Sequence, residues 1–422
     1  MSRAMIITVG AQGEQIIYSI QQLKPDYIGL LVTASPECKK TLDEVCNACS
    51  LSPPKCRVEY FDDNPDEIVR VIAKFNALYK WLKDEVKVTD EEILVDPTGG
   101  RKWMSAGVTM IASFLGLEMV YVNVKYKDGK PDPNTMQIIP LGNAYEQTGF
   151  LEEAKADKLF NEYNFAGARD IYEFLSKKLQ DPRKVAIKKD IAEAYLNWSQ
   201  LRFAEALKYM ESAITKINQY SMLREHKEKL QKQIEILTIL NKNDAPTAQF
   251  FHLLKDKIFF EKTALTLVAQ VERHEYNQQY DQAIILLYRI LELISQFRLA
   301  QNNINVNNVS DEIKSQYNDQ FRRLTKEIFQ AESEIPKKVS LVQSCLLLYI
   351  LKDEILKNEN ENFFKDLREQ TDTRNLLWLE HGNKHATKDN YISFKKFVLS
   401  RILTRLIKNW NNLVDDYKYV KF

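Results

Sequence analysis

Arg374 and His381 are the residues whose types and spacing best suit chemistry on a phosphate. An arginine offers a planar fork of donors to phosphate oxygens, and a histidine exchanges protons near neutral pH. A helix capped by Thr371 or Asp372 and ending at Gly382 would place both side chains on one face, about 10 Å apart along the axis. On spacing alone, a solvated helix arginine and a surface histidine at a helix end is the better interpretation.

A second group of residues follows the predicted strands near the N-terminus. The segments are Gly10-Ala11-Gln12-Gly13, Thr33-Ala34-Ser35 and Asp96-Pro97-Thr98-Gly99-Gly100-Arg101-Lys102. Open parallel sheets bind ligands at the carboxyl ends of their strands, where glycines bring backbone N–H groups close and helix N-termini favour anions. The pattern indicates a site for an anionic ligand. Tight turns with solvated basic residues are the alternative.

Two common phosphate motifs are missing from these segments. No G-x-G-x-x-G follows the first strand, and Gly99-Gly100-Arg101-Lys102 lacks the preceding spacing of a P-loop. An ordinary dehydrogenase or nucleoside triphosphatase is therefore not expected.

The elements that must position these residues change character along the chain. Residues 1–150 alternate near-continuous apolar runs with helical stretches, which predicts a Rossmann-like parallel sheet covered by helices on both faces. We predict strands at Met5–Val9, Tyr27–Thr33, Ile93–Val95 and Met119–Val124, and helices at Glu14–Gln22, Pro36–Cys49, Asp66–Lys83 and Met104–Leu115.

From about residue 151 onward glycine nearly disappears and apolar residues recur at helical spacing, so the rest of the chain is predicted to be all-α. Phe165, Phe203 and Tyr280 each stand three residues before an alanine, a pattern typical of packed helical hairpins and equally of ordinary helix contacts. The turn formers and proline at 241–246 indicate a boundary between two helical regions.

Composition limits the class of protein. The 422 residues can bury two or three cores, and 45% hydrophobic with 28% charged residues is typical of folded domains. The net charge of +1 means that any RNA-binding surface must be local. The apolar runs are too short for a signal peptide or a membrane span, so we expect a cytoplasmic protein without membrane contact.

Four cysteines lie close together in the sequence, at Cys38, Cys46, Cys49 and Cys56. Only Cys46 and Cys49 have the spacing of a zinc half-site, and a structural zinc needs two such pairs. Reduced cysteines without a metal are the preferred interpretation, with zinc left open, and we expect no metal or cofactor.

The first strand ending in Gly10-Ala11-Gln12-Gly13, together with Asp96 to Met104, resembles a CARF domain, the Rossmann-like sensor of CRISPR systems. The resemblance implies that two subunits pair their sensors around a cyclic oligoadenylate, with cyclic tetra-adenylate favoured and cyclic hexa-adenylate as an alternative. The implied ligand-binding residues are Gly10, Gln12, Thr33, Ser35, Thr98, Gly99, Gly100, Arg101 and Lys102. The backbone amides and Lys102 would meet the phosphates.

Arg374 to His381, with Asn375 after the arginine and Gly382 after the histidine, resembles the R-x(4–6)-H signature of HEPN ribonucleases. The resemblance implies attack of the RNA 2′-OH without a metal, giving a 2′,3′-cyclic phosphate and a 5′-OH. His381 would transfer protons, Arg374 would hold nonbridging oxygens, and Asn375 would orient the phosphate or the histidine. Because about 10 Å is long for one phosphodiester, a two-fold homodimer would complete each site.

Together the motifs resemble CRISPR type III ancillary ribonucleases. The implied order is a CARF sensor at 1–150, a helical connector at 151–244 and a HEPN ribonuclease domain at 245–422. The expected function is cleavage of single-stranded RNA, activated by the cyclic oligoadenylate second messenger in antiviral defence. Two alternatives remain, a non-catalytic sensor and a ring nuclease that degrades the cyclic ligand in the sensor crevice. His385 is expected to be a loop residue, and Arg289 and Glu292 an ion pair.

Overall fold

The protein was analysed as a computed structural model that describes residues 3–62, 68–127, 130–143, 149–244 and 247–422. The chain divides into two compact units: Met1–Ala154 with Lys178–Gln180, and Lys155–Lys177 with Asp181–Phe422. The first unit contains the residues of the predicted sensor, 1–150, and the second contains most residues of the two predicted helical regions. The predicted boundary at residue 245 lies outside the described residues.

The first unit is built on a six-stranded sheet with the order β3-β2-β1-β4-β5-β8. Its strands are β1 (Ala4–Val9), β2 (Tyr27–Thr33), β3 (Cys56–Phe61), β4 (Ile93–Asp96), β5 (Glu118–Asn123) and β8 (Gln137–Leu141). The first five run parallel, and β8 pairs antiparallel with β5. A short hairpin of β6 (Tyr126–Lys127) and β7 (Lys130–Pro131) lies between β5 and β8 in the chain.

Helices cover both faces of this sheet, and β1 is therefore buried along its whole length. One apolar core joins alternate strand residues to α1 (Glu14–Leu23) and α2 (Pro36–Ala48), and the other joins the remaining residues to α3 (Ile68–Lys80) and α4 (Lys102–Leu115). The predicted Rossmann-like layer structure is confirmed.

Most predicted elements of this unit are observed within a few residues of the predicted ends. The helix predicted at Asp66–Lys83 is described from Ile68, its first two residues lying outside the described part of the chain, and beyond Lys80 it continues as a π-helical segment, Trp81–Val86. Strands β3 and β8 were not predicted.

The second unit is helical throughout its described part. Its main helices are α5 (Phe150–Asn161), α6 (Phe165–Lys178), α7 (Arg183–Ser199), α8 (Phe203–Tyr220), α9 (Lys227–Leu240), α10 (Thr247–Leu253), α11 (Lys257–Tyr276), α12 (Tyr280–Gln301), α13 (Asp311–Phe329), α14 (Leu341–Ile350), α15 (Glu361–Asn375) and α16 (Lys388–Lys395). A π-helical segment, Lys396–Leu403, continues α16.

Three helix pairs of this unit share one turn geometry. The turns before Phe165, Phe203 and Tyr280 each have three residues, and the middle one adopts a left-handed conformation, with φ of 66°, 61° and 56° at Tyr163, Leu201 and Gln278. The alanine three residues into each second helix is fully buried. The aromatic residue of this pattern therefore marks the start of the second helix of each hairpin. The buried alanine that follows it is small, which allows the two helices to pack closely.

The segment after Leu413 packs into the first helices of the same unit. The Tyr419 ring lies 4.4 Å from that of Tyr195, the Phe422 ring lies 4.4 Å from that of Phe160, and the Val420 N–H donates to the Tyr195 hydroxyl at 3.1 Å. These aromatic contacts join the end of the chain to the first helices of the unit, through the buried rings of Phe160 and Tyr195. No described helix is long and apolar enough to cross a membrane.

Candidate functional sites

The loops after β1 and β4 meet at the point where the strand order reverses, since β1 lies between β2 and β4. A Cβ built on Gly10 would lie 2.6 Å from the backbone nitrogen of Gly100, so the two loops touch backbone to backbone. Gly100 has a φ of 84°, which favours glycine. A Cβ on Gly99 would overlap the carbonyl oxygen of Thr8. Glycine is thus needed at each of these three positions.

Asp96, the last residue of β4, holds the loop that follows this strand through hydrogen bonds. Its carboxylate accepts hydrogen bonds from the Thr98 backbone N–H at 2.8 Å and from the Ser19 hydroxyl at 2.5 Å. The Thr98 hydroxyl accepts from the Val122 backbone N–H at 2.8 Å, and the Thr8 hydroxyl donates to the Gly99 carbonyl at 2.5 Å. Burial raises the pKa of Asp96, against the lowering effect of its hydrogen bonds.

These loops border a polar cavity of about 380 Å³. Its lining residues are Gly10, Ala11, Gln12, Gln15, Glu37, Cys38, Thr98, Gly99, Gly100, Arg101, Tyr121 and Tyr126. Six of the nine residues expected to bind the ligand are therefore together at this cavity.

The other three expected ligand residues lie elsewhere. Thr33 is fully buried, with its hydroxyl 3.1 Å from the Met104 sulfur. Ser35 caps α2 by accepting from the Cys38 backbone N–H at 3.3 Å, and Lys102 is the exposed first residue of α4. None of the three lines the cavity.

The cavity is also lined by two tyrosines and a glutamate that the sequence patterns did not indicate. Tyr121 and Tyr126 are 40% and 58% exposed, and Glu37 lies in the first turn of α2. Glu37 and Cys38 stand two and three residues after Ser35, so the rule that placed Ser35 at this edge of the sheet would have found them if it had been applied to a longer segment. Tyr121 lies within β5, where that rule does not apply.

In the C-terminal region, the helix carrying Arg374 ends earlier than predicted. Asn360 caps α15 by accepting from the Asn362 backbone N–H at 3.0 Å, and the helix ends at Asn375. The expected helix from Thr371 or Asp372 to Gly382 was wrong, and so was the expectation that Arg374 and His381 share one helix face. Arg374 lies in the last helical turn and His381 in the loop that follows.

Backbone pairing across that loop explains why the helix stops. The Lys384 N–H donates to the Leu376 carbonyl at 2.9 Å, and the Trp378 N–H donates to the Lys384 carbonyl at 3.0 Å. A Cβ on Gly382 would overlap the backbone of Leu376, so only glycine allows this close return. These bonds replace the helical bonds that a longer helix would have made.

Arg374 is held by three neighbours. One terminal nitrogen lies 2.6 Å from a Glu380 carboxylate oxygen, and the other donates to the Asn375 side-chain oxygen at 3.0 Å. The guanidinium carbon lies 4.6 Å from the centre of the Tyr288 ring on α12. The Arg374 and Glu380 side chains are 21% and 15% exposed. Asn375, which was expected to orient the phosphate or the histidine, contacts the arginine in this structure.

His381 is exposed, and its ring makes no hydrogen bond to any residue that the structure describes. The loop also exposes Leu376, Trp378 and Leu379, at 44%, 60% and 54%. We call these three side chains the apolar rim. An exposed histidine in the loop that follows the arginine's helix can reach a substrate from solvent, and the apolar rim offers a surface for a partner or a base.

The residues around this loop are mainly structural. His385 pairs with Asp281, the two groups lying 3.1 Å apart, and Asp281 also accepts from the Ala386 backbone N–H. Arg289 and Glu292 form the predicted ion pair, at 3.2 Å. His385 is therefore a loop residue that is anchored to the start of α12.

Among the described residues, no group of three or more histidine, cysteine or acidic side chains is placed so that it could hold a metal ion. Burial raises the pKa of the Cys46 and Cys49 thiols and raises that of Cys56 to about 11.

Two family models match the helical part of the chain. The Csm6 6H domain matches residues 149–237, and the Csm6 HEPN domain matches residues 257–404, a range that contains Arg374 and His381. Together these matches span more than half of the chain.

A solved structure resembles the chain along almost its whole length. It is described as Enterococcus italicus Csm6 bound to cyclic hexa-2'-fluoro-hexa-dAMP, with a TM-score of 0.52 and 13% sequence identity, and the match covers 99% of this chain and 98% of that chain. At this identity the likeness concerns the fold, a mostly parallel sheet followed by helices. No curated protein gave a significant match.

Proposed function

Because the chain belongs to the Csm6 family of CRISPR type III ancillary ribonucleases, with an N-terminal sensor and a C-terminal HEPN domain, we propose that it is a metal-independent endoribonuclease activated by a cyclic oligoadenylate. Its proposed substrate is single-stranded RNA, and its proposed location is the cytoplasm. The observation that carries the proposal is the loop that returns His381 to the helix end bearing Arg374, inside the region matched by the HEPN model.

Each step of the reaction falls to a side chain of this site. The RNA 2′-OH attacks the neighbouring phosphorus, and His381 takes or returns a proton at the attacking or leaving oxygen. Arg374 donates to the nonbridging oxygens, which gain negative charge in the transition state. The 5′ oxygen leaves, so the products are a 2′,3′-cyclic phosphate and a 5′-OH. No step requires a metal.

We propose that a second copy of the chain completes the site. The apolar rim is exposed next to His381, and a two-fold axis there would bury it and bring a second Arg374 and His381 to the same phosphodiester. The rim therefore supports a homodimer as the active form.

The sensor cavity is proposed to bind the activator. Its glycine backbones and Arg101 suit phosphates, and Tyr121 and Tyr126 offer ring faces for adenines. The Enterococcus italicus protein is bound to a cyclic hexanucleotide analogue, which makes cyclic hexa-adenylate a candidate beside cyclic tetra-adenylate. In this proposal, binding of the activator at the sensor cavity changes catalysis at the site of Arg374 and His381, so activation couples two distinct sites.

The test is cleavage of a single-stranded RNA in EDTA, with cyclic tri-, tetra- or hexa-adenylate or no activator. We expect stimulation by one ring size, unchanged by EDTA, and a loss of about a thousandfold or more in Arg374→Ala and His381→Ala. Arg323→Ala and His252→Ala, which remove an exposed arginine and an exposed histidine elsewhere, should cleave at the wild-type rate. Ligand binding without any cleavage would instead support a non-catalytic sensor, and full activity of the Arg374 and His381 variants would overturn the site.

A further inference from the structure

The separation of Arg374 and His381 is not set by a helix, since α15 ends between them. Three contacts bring the loop back to the helix end: the backbone pairing of Lys384 with Leu376 and Trp378, the close approach of Gly382, and the ion pair between Glu380 and Arg374. Among the contacts of the described residues, the ion pair is the one that joins the arginine's side chain to the segment that carries the histidine. Glu380 is also the residue immediately before His381.

The environment makes this ion pair stronger than an ordinary surface pair. Both side chains are mostly buried, and the nitrogen-to-oxygen distance is 2.6 Å. Charge-assisted hydrogen bonds are about twice as strong as neutral ones, and partly buried pairs are less screened by salt. The Arg374 Nε is buried without a hydrogen-bond partner among the described residues. The guanidinium therefore depends on Glu380, Asn375 and the Tyr288 ring for its orientation.

We propose that Glu380 is a positioning residue for RNA cleavage: its carboxylate fixes the Arg374 guanidinium and at the same time ties the loop that presents His381. The proposal rests on the function proposed above. Glu380 acts through Arg374 and the loop and touches no substrate atom. A displacement of about 1 Å at a catalytic group can cost about a hundredfold in rate, so loss of the tether should reduce turnover more than substrate binding.

A different role for Glu380 predicts the opposite result. If the carboxylate only neutralised Arg374 and kept the enzyme off, its removal would raise cleavage in the absence of activator. A positioning residue instead lowers cleavage with activator and leaves the activator-free rate low. The two roles are therefore separated by the sign of the effect on the unstimulated rate.

The experiment compares Glu380→Ala, Glu380→Gln and the control Glu369→Ala, which removes an exposed carboxylate from α15, the helix that carries Arg374. Rates are measured at saturating activator over a range of RNA concentrations. We expect kcat to fall about 10- to 100-fold in Glu380→Ala with KM changed by less than about threefold. Glu380→Gln should stay within about fivefold of wild type, because its amide oxygen still accepts from the guanidinium. The control and the affinity for activator should not change.

Amide hydrogen exchange of residues 376–384, measured without RNA or activator, supplies a readout that does not depend on activity. Exchange should be faster in Glu380→Ala and near wild type in Glu380→Gln. An unchanged kcat and exchange in Glu380→Ala, or a raised activator-free rate, overturns the positioning role even where Arg374→Ala and His381→Ala are inactive. If the wild type cuts no RNA, the proposed function fails, and the exchange result alone decides whether Glu380 ties the loop.

Discussion

The guanidinium of Arg374 lies over the ring of Tyr288, its carbon 4.6 Å from the ring centre. The two residues belong to different helices, α15 and α12, so this contact sets the direction of the arginine against a fixed neighbour. Burial raises the pKa of the Tyr288 hydroxyl. The cation faces the ring, whose face carries the negative part of its quadrupole.

This contact predicts a difference between two Tyr288 variants. Tyr288→Ala should lower kcat about 3- to 30-fold, in line with about 0.5–2 kcal/mol for a cation–π contact, while Tyr288→Phe keeps the ring and should stay within about twofold. Steady-state RNA cleavage at saturating activator measures both. An equal loss in the two variants would show that the hydroxyl, and not the ring, matters.

Gly382 should be intolerant of any side chain. Gly382→Ala places a methyl group on the Leu376 backbone, so the loop must open and His381 must move. We expect RNA cleavage to fall at least about tenfold, since misplacing a catalytic group by about 1 Å is this costly, with activator affinity unchanged. Gly167→Ala is the matched control, because its methyl group would meet only the Asn164 side chain, at 3.1 Å. Equal activity of both variants would contradict the tight loop.

In the sensor, Gly10→Ala should weaken activator binding about tenfold or more. The added methyl group would press on the Gly100 backbone and separate the two loops of the cavity. In Gly13→Ala, on the same loop, the nearest atoms to the added methyl group belong to side chains, the closest being Thr41 at 3.3 Å, so this variant should bind nearly as the wild type does. Titration of a cyclic oligoadenylate by calorimetry measures both affinities. Cleavage by Gly10→Ala should recover at high activator concentration, and a loss that no concentration restores would contradict a pure binding defect.

Asp96 should give stability a pH dependence. Burial holds its folded-state pKa above the unfolded value of about 3.9, so the folded chain keeps a proton that the unfolded chain releases. Stability from this group therefore falls as pH rises from about 4 through the raised pKa. Asp96→Asn cannot titrate, so its stability relative to wild type should increase from pH 4 to pH 7 in urea unfolding. A constant difference across this range would rule out the raised pKa.

Much of the first unit could be predicted because its central strands are buried on both faces. Strands β1, β2 and β4 are near-continuous apolar runs in the sequence, and their burial is nearly complete in the structure. Strands β3 and β8 lie at the two edges of the sheet, are half exposed and read as mixed polar segments. Edge strands lack the apolar run that identifies a central strand, so sequence patterns alone did not reveal them.

For the candidate sites, the sequence by itself determined the chemical groups: the arginine and histidine of one motif and the glycines of another. Tertiary structure decided where α15 ends, because Lys384 pairs with Leu376 and Trp378 in place of further helical bonds. It also decided that Glu380 and Tyr288 hold Arg374, contacts from a loop and from a distant helix. Spacing along a chain fixes direction only while one regular element continues, and here the helix stops between the two residues that the chemistry needs.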